Sequence, residues 1–265
     1  MSLKLIRQNW RGMWMAAEIT FKMQITDLFI IFTILIQPLV IAVMGLYMLK
    51  GKGPDIGMFV IVGSGLTGLW SGLLFISGNS INVERWIGTI ENLVAVPTPF
   101  EVIIYGKNIA NVLQSLISMV TGYILAALFF GYSLSIGQPL LFIVSLLLTI
   151  FAFISFGLVI APLFIMNPAV QQWQNGIEFP VYILCGFLFP IAMLPGWTTP
   201  ISYILPPYWA AVALHGTSSG NAPLGQVLFA WAMMLVSGAV YFVISRWLFK
   251  KMLYKARVDA TLRME

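Results

Sequence analysis

The sequence predicts an all-α polytopic membrane protein: six transmembrane helices, an amphipathic interfacial helix at the N-terminus, and re-entrant helices before the last crossing. Two observations carry that prediction. The first is composition, because 60% of the 265 residues are hydrophobic and only 9% charged, where a soluble domain carries about 25% charged residues. The second is where charge is missing. None falls in 28–49 or 56–83, residues 108–177 form a 70-residue charge-free run, and 179–245 form another broken only by His215. A helix needs about 20 apolar residues to cross the hydrocarbon core, so the four runs hold one, one, two and two crossings.

Residues 1–25 read as the interfacial helix. Lys4, Arg7, Arg11, Glu18 and Lys22 share a sector of roughly 60° at about 100° per residue. Leu3, Ile6, Trp10, Met13, Ala17 and Phe21 gather on the neighbouring face, a pattern that suits the head-group boundary. Such a helix is either an anchor or a lever for a cytoplasmic partner. No compact apolar region with a small-residue cleavage site follows its basic residues, so the first span is expected to act as an uncleaved signal.

That span covers 28–49, with Pro38 expected to kink it. A polar turn with Lys50, Lys52 and Asp55 leads to the second span, 56–82, where Ser64, Gly68 and Gly72 form a small stripe for close packing within the subunit or between subunits. The third and fourth spans cover 108–130 and 140–165, joined by the turn GYSLSIGQP. Asn167, Pro168, Gln171 and Gln172 form the next turn, and the fifth span is expected to run to residue 193. The segment 195–220 is too rich in proline and interfacial aromatics to be a plain span, and reads as short helices dipping into the outer leaflet. The sixth span, 223–248, ends in a basic tail.

With six spans and an inside N-terminus, 12 of the 14 basic residues fall on the inner side, leaving Lys50 and Lys52 outside. The positive-inside rule then places both termini in the cytoplasm. It also accounts for the net charge of +5 without nucleic acid as a partner. The single cysteine, Cys185, excludes an intrachain disulfide or a cysteine metal cluster. No G-x-x-x-x-G-K-[ST] loop is present, so this chain does not hold ATP by that device. His215 stands alone and reads as an interfacial polar residue.

Two features remain. Glu178 is expected about nine residues into the fifth span, roughly 14 Å deep at 1.5 Å per residue, where an ionisable group costs about 2.5–3.5 kcal/mol. It is either a structural carboxyl paired with groups such as Gln174 or Asn175, or a pathway residue. The other is ERWIGTIENLVAVPTP (84–99), on the cytoplasmic side. Read as one helix, it puts Glu84, Gly88 and Glu91 on a single face, with Trp86, Ile90 and Leu93 on an apolar side. Gly88 then keeps the outer face low, and Pro97 and Pro99 stop the helix. Such a helix suits a groove in a cytoplasmic protein; the plainer alternative is a solvated loop capping two spans.

The pattern E-R-x-x-G-T-x-E-x-L-x-x-x-P (84–97), followed by Glu101 and Tyr105-Gly106-Lys107, resembles the region before the third span of type 2 ABC exporter permeases. Phe179-Pro180, followed by GFLFPIAMLPGWTTPISYILPPYW (186–209), is similar to that family's end of the fifth span and its re-entrant segment, here carrying Pro190, Pro195, Trp197, Pro206 and Pro207. Cys185 stands where the family often has serine. The resemblance covers essentially the whole chain. It implies one permease domain over 1–265, with 1–25 as interfacial helix, 84–100 as coupling helix and 195–220 as outer-leaflet segment. The coupling residues are then Glu84, Arg85, Trp86, Gly88, Thr89, Glu91 and Pro97.

The resemblance further implies a subunit that is not catalytic by itself and sits in membrane lipid, the plasma membrane of a prokaryote. It would pair with a second permease, identical or homologous, and with two copies of a cytoplasmic ATP-binding-cassette ATPase that binds ATP and Mg. The cargo would be an amphipathic drug, antibiotic, lipid or lipid-linked glycan moving outward. The rival expectation is an ATP-independent secondary transporter or channel. It calls for an internal repeat or paired intramembrane charges, which the sequence does not convincingly offer.

Overall fold

The computed structural model describes residues 3–48, 55–130, 135–166 and 174–258, and every regular element among them is helical. The turns expected around Lys50 and Lys52 and around Asn167–Gln172 lie outside the described residues. Helix α1 spans Leu3–Thr26. Asp27 separates it from α2 as an N-cap, its carboxylate accepting the N–H groups of Phe29 at 2.9 Å and Ile30 at 3.3 Å. α2 comprises Leu28–Ile31, a π-helical turn Phe32–Ile36, and Gln37–Met48. Pro38 has no N–H to donate, and the wide turn before it takes up that missing bond.

α3 spans Asp55–Ser71 and continues through a second π-turn, Gly72–Ser77. Two short helices follow, α4 (Ser80–Ile87) and α5 (Ile90–Ala95). Then come α6 (Phe100–Phe130), α7 (Pro139–Met166) and α8 (Gln174–Leu184). Single 3₁₀ turns at Ile191–Met193 and Gly196–Thr198 lead to α9 (Thr199–Ile204), α10 (Pro206–Ser219) and α11 (Leu224–Val258). Three stretches, Gly57–Glu84, Pro139–Phe164 and Leu224–Met252, are long and apolar enough to cross a membrane. With the 31-residue α6, this is an all-α polytopic membrane protein.

One expected boundary is wrong. The fifth span does not run as helix to residue 193, because α8 ends at Leu184. Gly186 adopts φ +69, and Phe187 N–H closes back on the Tyr182 carbonyl at 3.2 Å. That is the six-residue capping bond of a helix end. The stretch of turns and short helices therefore begins about ten residues earlier than expected.

α3 is the hub. Of its membrane-length apolar stretch 83% is buried inside the molecule, against 22% for that of α11. Leu66 and Trp70 of α3 pack in one cluster with Phe153 of α7, Trp209 and Leu214 of α10, and Met234 of α11. The small stripe of α3 serves contacts inside the subunit at Gly68, whose carbonyl accepts Ser115 Oγ of α6 at 3.4 Å. A second cluster joins Ile81 of α4 to Phe100 and Ile104 of α6, Leu158 of α7, and Phe249 and Met252 of α11.

Candidate functional site

The segment between α3 and α6 is an elbow, not one helix. α4 stops at Ile87, Gly88 takes φ +76, and Thr89 N–H bonds the Glu84 carbonyl at 2.9 Å. This is a left-handed glycine cap. The space beside Gly88 is open, so glycine is needed for its backbone conformation rather than to keep a face low. α5 then ends where Val96, at ψ 142, turns extended before Pro97, as residues preceding proline do. The expected common face of Glu84, Gly88 and Glu91 is thus broken at Gly88.

Glu84 also points inward. Its carboxylate accepts the Thr89 hydroxyl and pairs with Lys107, two turns into α6. The two charged side chains are only 16% and 12% exposed, respectively. This pair fastens α4 to α6. Lys107 belonged to the sequence motif, but its partner was not legible from spacing. The side chains of Arg85, Trp86 and Glu91 lie outside the described ones, and Pro97 is exposed.

α1 docks along α6. A Cβ at Gly106 would overlap the Met13 carbonyl and crowd Ala16 and Ala17, so glycine permits this close approach. Gly12 lies against the buried Thr98 in the same way, and Gln24 Nε2 donates to Asn111 Oδ1 at 2.5 Å. The outer face keeps an exposed Lys22–Glu18 pair at 2.7 Å, and Lys22 holds the Glu18 carboxyl below its ordinary range. Beside the elbow, burial pushes the Tyr105 phenol well above its usual range, with the Glu101 carboxylate adding to the shift. One groove of about 710 Å³ lies between α1 and α5, bordered by Arg7, Arg11, Met15, Leu93, Val96 and Ile103. A second cavity, of about 510 Å³, lies under the elbow.

Glu178 is 2% exposed. Its Oε1 accepts Tyr182 Oη at 2.5 Å, Ser71 Oγ at 2.6 Å and Gln37 Nε2 at 3.2 Å. The expected partner Gln174 instead donates to the Leu74 carbonyl at 3.1 Å, and the Asn175 side chain lies outside those described. The carboxyl therefore joins α2, α3 and α8 at one point. Tyr182, four residues on, was visible as a helical neighbour. Ser71 and Gln37, over a hundred residues away, were not.

On the opposite side, Pro190 and Pro195 precede the two 3₁₀ turns, and Pro206 and Pro207 start α10, the helical position proline favours. Trp197 is exposed. A cavity of about 820 Å³ opens between residues 185–193 and α10, with Phe59 of α3 on its wall. His215 stacks on Phe59 with ring centroids 3.9 Å apart, against the backbone of Gly186 and Phe187.

A family model described as ABC-2 type transporter matches residues 11–218, which spans the elbow, the Glu178 cluster and most of the segment 195–220. No curated protein matches the chain.

Proposed function

The chain belongs to the ABC-2 type transporter family and is the transmembrane subunit of an ABC transporter, partnered by a cytoplasmic ATP-binding-cassette subunit; from that premise we propose that it exports an amphipathic substrate. In this reading the termini and the elbow face the cytoplasm of a prokaryotic cell. Two ATPase copies bind ATP and Mg there, and two permease subunits, identical or homologous, enclose the path. The permease itself performs no chemistry. The cargo is an amphipathic drug, antibiotic, lipid or lipid-linked glycan, released from the cytoplasm or inner leaflet.

One observation carries the coupling part. The capped elbow is fastened to α6 by the Glu84–Lys107 pair and flanked by the groove between α1 and α5. A helix of the ATPase seated in that groove would touch α1 and α5 together, making α1 a lever as well as an anchor. Arg85, Trp86 and Glu91 would then contribute to docking. Gly88 and Thr89 would set the elbow's angle, and Pro97 its end. Glu178 reads best as a pin at the crossing of three helices, because protein donors already satisfy Oε1.

The test is co-expression with the cognate ATPase. Glu91→Lys should weaken assembly or uncouple ATP hydrolysis from transport without loss of the folded permease. Normal assembly and transport by that variant, and by Trp86→Ala, would count against the elbow as the coupling site.

A further inference from the structure

We infer that the cavity beneath the elbow binds an ammonium group carried on a hydrocarbon tail. The cavity holds about 510 Å³, within the size range of small-molecule sites. It lies where α1 hands over to α2, the boundary between the polar interface and the apolar span. Its walls divide by chemistry. Ile19, Met23, Ile30, Ile76, Val83 and Ile103 form an apolar side, suited to a tail.

The polar side is rich in acceptors. Gln24 is 5% exposed; its Nε2 is used by Asn111, while its Oε1 is buried and has no hydrogen-bond partner. A buried acceptor without a donor is costly, and a ligand that supplies one gains accordingly. Two carboxylates line the same cavity, Glu84 and Asp27. The cavity's cation, Lys107, is already committed to Glu84. Asp27 spends Oδ1 on the start of α2, and among the described residues no ion pair involves it.

Among the described lining residues the uncompensated charge is therefore negative. An anionic head group is repelled, and a neutral one leaves the exposed Asp27 carboxylate to water alone. A primary ammonium brings one positive charge and three donors, enough for Asp27 and Gln24 together. Two sources carry this chemistry: a membrane aminophospholipid and an exported amphiphilic amine.

The experiment titrates the permease–ATPase complex, in neutral maltoside micelles without nucleotide, with decylamine and separately with decanol. Binding is read by calorimetry, so failure here leaves the export reading intact. Decylamine is expected to saturate at one per permease chain and to bind more tightly than decanol. Asp27→Asn keeps the capping oxygen, and Asn92→Lys alters the exposed rim. Each should weaken decylamine about tenfold, the lower end for a charge-assisted hydrogen bond, and leave decanol unchanged. Equal binding of amine and alcohol, or decylamine affinity untouched by both substitutions, overturns the inference. Phosphatidylethanolamine retained over phosphatidylglycerol through purification, and lost in Asp27→Asn, assigns the site to a lipid. An ATPase rate that rises with decylamine in liposomes, and not in Asp27→Asn, assigns it to cargo.

Discussion

Replacing Lys107 with methionine keeps an unbranched side chain one atom shorter, removes its charge, and so isolates the pair that fastens α4 to α6. Glu84 would be left 16% exposed with the Thr89 hydroxyl as its remaining partner. Stranding one member of a fully buried ion pair costs about 3–5 kcal/mol. Residual exposure lets water reach the carboxylate, which lowers the expected cost to about 2–3 kcal/mol. Glu84→Gln keeps an amide oxygen that can still accept from Thr89 or from the Lys107 ammonium, so neither donor is wholly stranded, and it is expected to cost about 1–2 kcal/mol. In the double variant no charge is stranded, and the cost falls to about 1–2 kcal/mol. The singles then exceed the double by about 2 kcal/mol, a size typical of directly contacting residues. Thermal unfolding of the four proteins in one detergent, followed by tryptophan fluorescence, should rank Lys107→Met lowest and the double variant above it. Costs that simply add, to within about 0.5 kcal/mol, would refute the pairing.

Four further outcomes follow from the same geometry. Gly88→Ala should destabilise the elbow by about 1–2 kcal/mol because its φ is left-handed, with Gly88→Asn milder in the same melting assay. In a Cys185→Ala background, Gly12→Cys with Thr98→Cys should form an intrachain disulfide on oxidation. A Cβ at Gly12 lies 3.4 Å from that of Thr98, close to the roughly 3.5–4.5 Å of disulfides; an unchanged gel mobility under oxidant would contradict the docking of α1. Gly106→Val should push α1 away from α6 and speed tryptic cleavage at Arg7 and Arg11. Glu178→Gln should transport within about twofold of wild type, since an amide oxygen still accepts the hydroxyls of Ser71 and Tyr182, whereas Glu178→Leu should lower the melting temperature. Loss of transport in Glu178→Gln, with melting unchanged, would return Glu178 to the pathway.

The sequence displayed features set by local chemistry and hid those set by backbone torsion or distant partners. Charge-free runs exposed the long helices because burial in lipid forbids uncompensated charge. Pro97 marked a helix end because proline acts on its immediate neighbours. Gly88 was ambiguous: E-R-x-x-G-T is compatible with a helix that continues and with one that caps, and only φ +76 decides. The fifth span failed for a related reason. GFLFP is as apolar as a membrane helix, so hydropathy runs on where the backbone has already turned at Gly186. Contacts such as Gly106 to Met13 and Glu178 to Ser71 join residues that no local pattern relates.

Breaking the predicted helix at Gly88 changes what the segment is suited to do. A single exposed helix bearing Glu84 and Glu91 would meet a partner through charge and pass motion on through its two ends. The observed elbow spends Glu84 internally on Thr89 and Lys107. It also sets Ile81 in a cluster with Phe100, Leu158 and Phe249, and Thr98 against α1. A load applied to α5 therefore reaches α6 through the ion pair, α7 and α11 through the apolar cluster, and α1 through Thr98. Packed interfaces transmit displacement because they have no slack to absorb it. Glu84, which looked positioned to attract a partner, thus reads better as part of the fastening that makes the elbow stiff, and the coupling we propose for the elbow would draw on that stiffness more than on this charge.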